Sequence, residues 1–167
     1  MEKFIEAIGL KPEWVQPKLS QRKFELRAGE EVFATLEFQS AWGSLAVANC
    51  SEGIWSFKRV GFFVPRVTVR RANENVDQAI YRPSWMGIEG ELTFANGRVF
   101  RWKAGNFWAT QFVFSTAEGH PILRFRPGVE HGHLSDFFKY QARLEMEPDA
   151  GEWVELPVLA IDGAPAG

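Results

Sequence analysis

The sequence has one cysteine, no long apolar run and almost no net charge, and each shortage excludes a class of protein. Cys50 has no second cysteine to pair with, so no internal disulfide holds the fold together. No segment reaches the ~18 uninterrupted apolar residues that a membrane-spanning helix requires. The first residues, MEKFIEAIGL, also lack the basic start and apolar stretch of a signal peptide. We therefore expect a soluble, cytoplasmic protein without a transmembrane segment.

The charge balance argues against binding to nucleic acid. The chain carries 19 Lys and Arg residues against 21 Asp and Glu residues, a formal net charge of −2. Proteins that neutralise a phosphate backbone carry a basic surplus or a basic stripe. Nucleic acid is therefore not an expected partner.

The sequence motifs of common enzymes are lacking as well. There is no nucleophile elbow, no phosphate-binding glycine loop and no C-x-x-C pair. Cys50 ends the apolar run LAVANC, where a free cysteine is usually a small buried side chain rather than a nucleophile. We predict a protein that is not an enzyme and has no cofactor.

Aromatic residues and two-residue alternation are abundant. The 167 residues include 15 Phe and 7 Trp, enough for one domain with a sizeable core. From Lys23 onward, apolar and polar residues alternate over short segments that are separated by turn residues. About eleven or twelve such segments follow one another at roughly 8–12-residue spacing, which is typical of an all-β sandwich or barrel. In the segment EVFATLEF, Val32, Ala34, Leu36 and Phe38 are predicted to face inward, and Phe33 is the apolar exception on the opposite face.

The segment 91–126 predicts four strands, and its first turn sets their register. Asn96-Gly97 is a hairpin signal. A three-residue loop, residues 95–97, places Leu92 opposite Phe100 and separates the apolar side chains from the charged ones. A register shifted by one residue would bury the charges, so we predict the register that the three-residue loop gives.

The size of the predicted barrel implies that something fills it. About eight strands close with side chains alone in the bore, whereas larger barrels enclose a hole. An α-helix with its side chains is ~10 Å across and has a suitable width. Residues 153–161 are the apolar segment left without a strand, and we hypothesise that they thread the bore. Because proline is tolerated in a first helical turn, Pro157 implies a short helix beginning near Glu155 or Leu156.

We divide the chain into three parts. Residues 1–22 are predicted to form an N-terminal arm with a short helix, on which Phe4, Ile5 and Ile8 form one apolar stripe. Residues 23–161 are predicted to form a single β-barrel domain that includes the plug segment. Residues 162–167 are predicted to be a flexible tail.

Several stretches resemble a known family. The runs WSFKRVGFF, ELTFANGRVFRWKAGNFWATQFVF and AEGHPILRFRP, followed by an apolar C-terminal segment, resemble the tubby C-terminal-like superfamily, and in particular prokaryotic relatives of its LURP-one and phospholipid-scramblase branch. The resemblance implies an all-β, closed or nearly closed antiparallel barrel of about 12 strands around a short C-terminal hydrophobic helix. Some members bind phosphoinositides or sit at membranes. The acidic segment 145–152 does not match the calcium-binding segment of scramblases, so no calcium or phosphoinositide residues are carried over.

Two sets of residues are candidates for a binding site. Five arginines alternate outward on predicted strands and would form an anion-binding patch for lipid headgroups if those strands were adjacent; the alternative is a solvated face paired with Glu91, Glu145 and Glu147. The arginines are Arg66, Arg70, Arg71, Arg124 and Arg126. His131 and His133, near Glu130 and Asp136, form the second set, and either hold a metal or belong to a solvated loop.

These observations leave three functions open. The leading hypothesis is a non-enzymatic, tubby-like module that binds an anionic phospholipid surface or another protein. The first alternative is a β-barrel carrier of a small molecule or lipid, with an open bore. The second alternative is a metal-dependent enzyme that uses His131 and His133. The oligomeric state does not follow from the sequence.

Overall fold

The computed structural model describes residues 1–40, 43–86, 88–107, 110–127 and 141–163, with the side chains of Pro127 and Gln141 left aside. Twelve antiparallel strands form a closed barrel in which each strand pairs with its sequence neighbours and the first pairs with the last. The strands are β1 (Glu13–Val15), β2 (Lys23–Ala28), β3 (Glu31–Phe38), β4 (Leu45–Cys50), β5 (Gly53–Val60), β6 (Arg66–Arg71), β7 (Ala79–Pro83), β8 (Glu89–Phe94), β9 (Val99–Ala104), β10 (Phe112–Thr116), β11 (Pro121–Pro127) and β12 (Gln141–Met146). The predicted fold class is therefore confirmed.

A short strand near the N-terminus closes the barrel. Residues 13–15, which the sequence analysis assigns to the arm, form β1, and Trp14 lies opposite Leu26 on β2 and Ala142 on β12. The Trp14 side chain is fully buried, and its indole N–H donates a hydrogen bond to the carbonyl oxygen of Ala160 at 3.1 Å. A single residue thus ties the closing strand to the centre of the barrel.

The N-terminal helix is shorter than the sequence predicts. Phe4–Ala7 forms one 3-10 turn, in which Phe4 and Ala7 are buried while Ile5 is exposed. In a 3-10 helix, side chains three residues apart lie above one another, so Phe4 and Ala7 share a face. The predicted two-turn stripe of Phe4, Ile5 and Ile8 is therefore wrong.

The register of the central hairpin agrees with the prediction. Leu92 lies opposite Phe100, and Glu91 lies opposite Arg101. The Phe94 N–H donates to the Arg98 carbonyl oxygen at 2.9 Å, which closes the three-residue loop, and Gly97 adopts a φ of 87°. A side chain at Gly97 would be strained in this conformation. The register keeps the charged residues on the outer face.

One strand departs from simple alternation. Phe33 and Ala34 are consecutive and both fully buried. The reason is a β-bulge, since Leu26 pairs with Ala34 but the next residue, Arg27, pairs with Val32. A bulge places two residues opposite one and turns a side chain to the other face. Phe33 therefore joins the core, whereas the alternation pattern predicted the opposite face.

A short helix fills the bore, as the sequence predicts. Helix α1 spans Leu156–Asp162, with Glu155 as its N-cap residue and a proline in its first turn. All of its residues from 156 to 161 are buried. Because the proline lies where no intrahelical N–H bond is required, it does not interrupt the helix.

A buried carboxylate holds the start of α1. Glu155 is 3% exposed, and its carboxylate accepts hydrogen bonds from Arg98 at 3.0 and 3.1 Å and from the Asn96 side-chain amide at 3.0 Å. The Arg98 guanidinium also lies 5.6 Å from the centre of the Trp153 ring. Asn96 and Arg98 belong to the β8–β9 connection, so this cluster fastens the helix to the rim of the barrel.

We expect Arg98→Ala to destabilise the fold measurably. The substitution leaves the Glu155 carboxylate buried with a single remaining donor. Removing one partner of a buried pair costs about 3–5 kcal/mol. Because the Arg98 side chain is half exposed, we expect a loss of about 2–3 kcal/mol in the free energy of unfolding, measured by urea denaturation. The matched control is Arg101→Ala on the outer face of β9, which should cost less than about 0.5 kcal/mol. Equal effects of the two variants would contradict the role of the cluster.

Removing the plug should abolish cooperative folding. A chain that ends at Asp149 lacks α1, so the barrel would enclose an empty apolar bore. We expect this truncated protein to precipitate or to unfold without a cooperative transition. Circular dichroism during thermal unfolding would measure this. A soluble truncated protein with an undiminished cooperative transition would show that the helix is dispensable.

Candidate functional site

Protein occupies the bore at two places in the described part of the chain. Helix α1 occupies one part, and an aromatic cluster occupies another, where the Trp102 ring stacks on Phe112 at 4.7 Å and approaches Phe114 at 4.8 Å and Phe125 at 5.3 Å. Gly163 is packed so closely that a side chain there would overlap the Phe125 ring. An open bore, which the carrier alternative requires, is not what the described residues form.

The candidate arginines do not assemble into one patch. Arg66, Arg70 and Arg71 lie on β6, whereas Arg124 and Arg126 lie on β11. Four strands, β7 to β10, separate β6 from β11 around the barrel. The condition that the sequence analysis attached to the patch, adjacency of the strands, is therefore not met.

Most of these arginines have partners of their own. Arg70 contacts Asp77 at 2.6 Å, and Arg71 donates a hydrogen bond to the Glu52 carbonyl oxygen at 3.2 Å. On the other side of the barrel, Arg124 pairs with Glu147 at 3.4 Å and Arg126 pairs with Glu145 at 3.0 Å. Of the acidic partners in the alternative interpretation, Glu145 and Glu147 pair with the arginines of β11 as predicted. Glu91 instead lies opposite Arg82 and Arg101. Arg66 is exposed at the start of β6.

The histidine loop lies outside the described residues. His131 and His133, together with Glu130 and Asp136, belong to the stretch that the structure does not describe. The two interpretations of this stretch, a metal site or a solvated loop, therefore both stay open. Within the described ranges, no group of three or more His, Cys, Asp or Glu side chains is placed to hold a metal ion. His120 is described, and its ring nitrogen lies 2.7 Å from the Asp149 carboxylate.

Cys50 is an inert core residue, as the sequence indicates. Its side chain is buried at the end of β4. Burial raises the pKa of the Cys50 thiol to about 11, and the thiol donates a hydrogen bond to the Gly53 carbonyl oxygen at 3.3 Å. Since the thiolate is the nucleophilic form, this cysteine is unreactive near neutral pH.

The meander topology sorts the strand connections into two groups. Because consecutive strands are antiparallel neighbours all around the barrel, successive connections alternate between its two ends. We call one end the tip rim; its described connections lie within residues 16–22, 39–44, 61–65, 84–88 and 105–111. We call the other end the helix rim; it contains residues 29–30, 51–52, 72–78, 95–98 and 117–120 and the segment 147–155 that leads into α1.

The two rims differ in charge. The connections of the helix rim contain many acidic residues: Glu30, Glu52, Glu74, Asp77, Glu118, Glu147, Asp149, Glu152 and Glu155. The described connections of the tip rim contain no Asp or Glu. Glu37 and Glu89 lie at nearby strand ends, but each faces a lysine across the sheet, Lys23 and Lys103 respectively. The described connections therefore differ in charge between the two ends of the barrel.

Within the described part of the tip rim, the β5–β6 connection exposes two adjacent aromatic rings. Phe62 is 92% exposed and Phe63 is 93% exposed, and their rings contact each other edge to face at 5.1 Å between centroids. Val64 beside them is exposed as well. We call residues 58–66 (KRVGFFVPR) the Phe loop.

Basic side chains surround the apolar tip. Lys58 and Arg59 precede the two phenylalanines, and Arg66 follows them, all three exposed. Lys58 and Arg66 also line a groove of about 310 Å³ on the outer face of the strands below the tip. The arrangement places an apolar projection between cations, which suits a surface that is anionic outside and apolar underneath.

Sequence reasoning overlooked the Phe loop as a site. Its residues fall within a run that the sequence analysis used only for the family resemblance. The signal was nevertheless present, since Gly61 and Pro65 on either side of the two phenylalanines disfavour a paired strand. Adjacent phenylalanines in a turn, flanked by Lys58, Arg59 and Arg66, predict an exposed apolar tip with basic neighbours.

Comparison with family models, with curated proteins and with solved structures finds no match to this chain. The tubby-like resemblance therefore stays a prediction. Within the described residues, no helix has both the length and the apolar character needed to cross a membrane.

A carboxyl group at the end of α1 lies inside the barrel. Asp162 is partly buried, and this burial raises its pKa to about 7. The pKa of the Tyr81 hydroxyl is also raised, first by burial and then by the Asp162 charge. The charged form of Asp162 is therefore disfavoured in the folded barrel.

We expect Asp162 to make the barrel less stable as the pH rises. A carboxyl whose pKa is 3.8 when unfolded and about 7 when folded stabilises the fold below both values, and this contribution is lost as the pH rises through 7. The free energy of unfolding of Asp162→Asn, relative to that of the wild-type protein, should rise by about 2–3 kcal/mol as the pH goes from about 5 to about 8.5. Urea denaturation of both proteins at each pH measures the difference. A difference that does not vary with pH would refute the raised pKa.

Proposed function

We propose that this barrel is a non-enzymatic module that binds the surface of anionic membranes through the Phe loop. The observation that carries the proposal is the nearly complete exposure of Phe62 and Phe63 between Lys58, Arg59 and Arg66. An apolar cluster that a soluble chain leaves uncovered marks a contact site for another protein or a membrane. The surrounding charge favours the membrane.

The energies involved suit reversible binding. Burying a phenylalanine side chain contributes roughly 1.5–3 kcal/mol. A lysine or arginine close to an anionic bilayer surface contributes about 1 kcal/mol. Two phenylalanines and three basic residues therefore support peripheral association that depends on lipid charge and weakens with salt.

The polarity of the barrel supports one orientation. The acidic helix rim would be repelled by anionic lipid, whereas the described tip rim carries basic and apolar residues. Like charges raise the energy of an approach in the wrong orientation and opposite charges lower it. The Phe loop is thus presented toward the membrane while the acidic end faces water.

The helix in the bore and the separation of the candidate arginines limit where on the barrel a lipid can bind. With helix α1 in the bore, lipid contact takes place on the outside of the barrel rather than within it. Of the five candidate arginines, Arg66 belongs to the Phe loop, so the proposal keeps this residue and dispenses with a patch that spans β6 and β11.

Vesicle co-sedimentation tests the proposal. Wild-type protein should pellet with vesicles of phosphatidylcholine and phosphatidylserine and much less with phosphatidylcholine alone. Phe62→Ser with Phe63→Ser should lower the affinity about tenfold or more, because the apolar contribution is lost. Val76→Ser, an equally conservative change at an exposed position of the helix rim, is the matched control and should bind like wild type.

Charge reversal gives an independent check of the same loop. Lys58→Glu with Arg66→Glu should remove the preference for anionic vesicles and the salt dependence. Equal pelleting of wild-type protein with both kinds of vesicle would exclude an anionic-surface function. Unchanged binding of the two-serine variant would exclude the Phe loop as the contact.

A further inference from the structure

A second apolar projection stands on the same rim. The β7–β8 connection exposes Trp85, which is 94% accessible, and also Met86 and Ile88. Tryptophan is amphipathic and is enriched at the level of lipid headgroups. The Trp85 side chain is not packed against any described part of the protein.

The β7–β8 connection is a direct neighbour of the Phe loop. Strands β6 and β7 pair through Val67 with Tyr81 and Val69 with Ala79, so the β5–β6 and β7–β8 hairpins stand side by side. Adjacent strands are about 4.8 Å apart, which puts the centres of the two tips roughly 10 Å apart. Two neighbouring tips on one rim can reach a flat surface at the same time.

The residues below the β7–β8 connection carry an excess of positive charge, as do those below the Phe loop. A groove of about 450 Å³ on the outer face of β7 to β9 lies beneath the tip. Its lining includes Arg82, Arg101 and Lys103 together with Glu89 and Glu91. The positive charges exceed the negative ones, which again favours an anionic surface beyond the tip.

We infer that the β7–β8 connection is a second membrane-insertion point, and that the two loops together hold the barrel upright with its axis along the bilayer normal. The inference rests on the proposed function of the Phe loop. A single apolar loop leaves a barrel able to tilt about its contact. A second contact roughly 10 Å away opposes that tilt, and linking two weak contacts raises the total affinity without any further residue.

The charge of the rim argues for a bilayer rather than a second copy of the chain. Two copies joined tip rim to tip rim would bring Lys58, Arg59 and Arg66 of each copy toward one another. Like charges at close approach oppose such a pairing. An anionic lipid surface instead complements these residues and accepts the exposed rings.

Site-specific fluorescence tests the two-point contact. Phe63→Cys, Trp85→Cys and Val76→Cys proteins carry an environment-sensitive fluorophore, with wild-type protein measuring any labelling of buried Cys50. Vesicles contain phosphatidylserine and phosphatidylcholine with brominated acyl chains. The probes at positions 63 and 85 should shift to shorter wavelength and be quenched, whereas the probe at position 76, on the helix rim, should not respond.

Each outcome bears on a different part of the inference. Quenching at position 63 without quenching at position 85 would refute the second insertion point and leave the Phe loop standing. Quenching at neither position, without vesicle binding, would refute the proposed function as well. Quenching at position 76 would show that the barrel lies on its side, which contradicts the upright orientation.

An unlabelled variant keeps the inference independent of the probe. Trp85→Ser should lower the affinity for anionic vesicles about three- to tenfold, because the burial of one aromatic side chain in the bilayer is lost. The thermal unfolding of the protein should be unchanged, because position 85 is exposed. Unaltered affinity would overturn the inference. A wild-type protein that sediments as a dimer without vesicles, and as a monomer after Trp85→Ser, would assign the tip to self-association instead and equally overturn it.

Discussion

The structure depends on filling a barrel that is too wide for its own side chains. Twelve strands enclose a bore that inward-facing residues cannot seal, and helix α1 supplies the missing apolar volume. The contacts of the helix show how closely the two are joined, since Trp14 on the closing strand reaches the Ala160 carbonyl and Arg98 on a connection holds Glu155. Closure of the strands and insertion of the helix therefore depend on each other.

Filling the bore also decides where function can reside. A barrel occupied by α1 and by the rings around Trp102 offers its outer surface and its rims for contact. The meander then separates the described connections into an acidic rim and a rim whose described connections lack Asp and Glu, because every second connection returns to the same end. The proposed contact with a membrane is based on this division, because many individually weak charges add up to a difference in electrostatic potential between the two rims.

Local pattern predicted much of the fold, and its failures have local causes. The hairpin at Gly97 was predictable because the period of a strand is two and a shift by one residue would bury charge. Phe33 was misassigned because a bulge is set by the partner strand, which the pattern of a single strand does not contain. Residues 13–15 were assigned to an arm because three residues are too few to show a period, yet they close the ring.

The sequence by itself determined an all-β chain of about eleven or twelve short strands with one leftover apolar segment, because alternation, turn residues and apolar runs are all properties of short stretches. That the strands close into a barrel around this segment depends on pairing between strands far apart in the chain. Only the tertiary structure decided which outward residues are neighbours. Arg66 and Arg124 look equivalent in sequence, but four strands separate them, and Arg124 is paired with Glu147. The exposure of Phe62 and Trp85 on one rim was decided in the same way, since the end at which a connection lies follows from the pairing of all the strands before it.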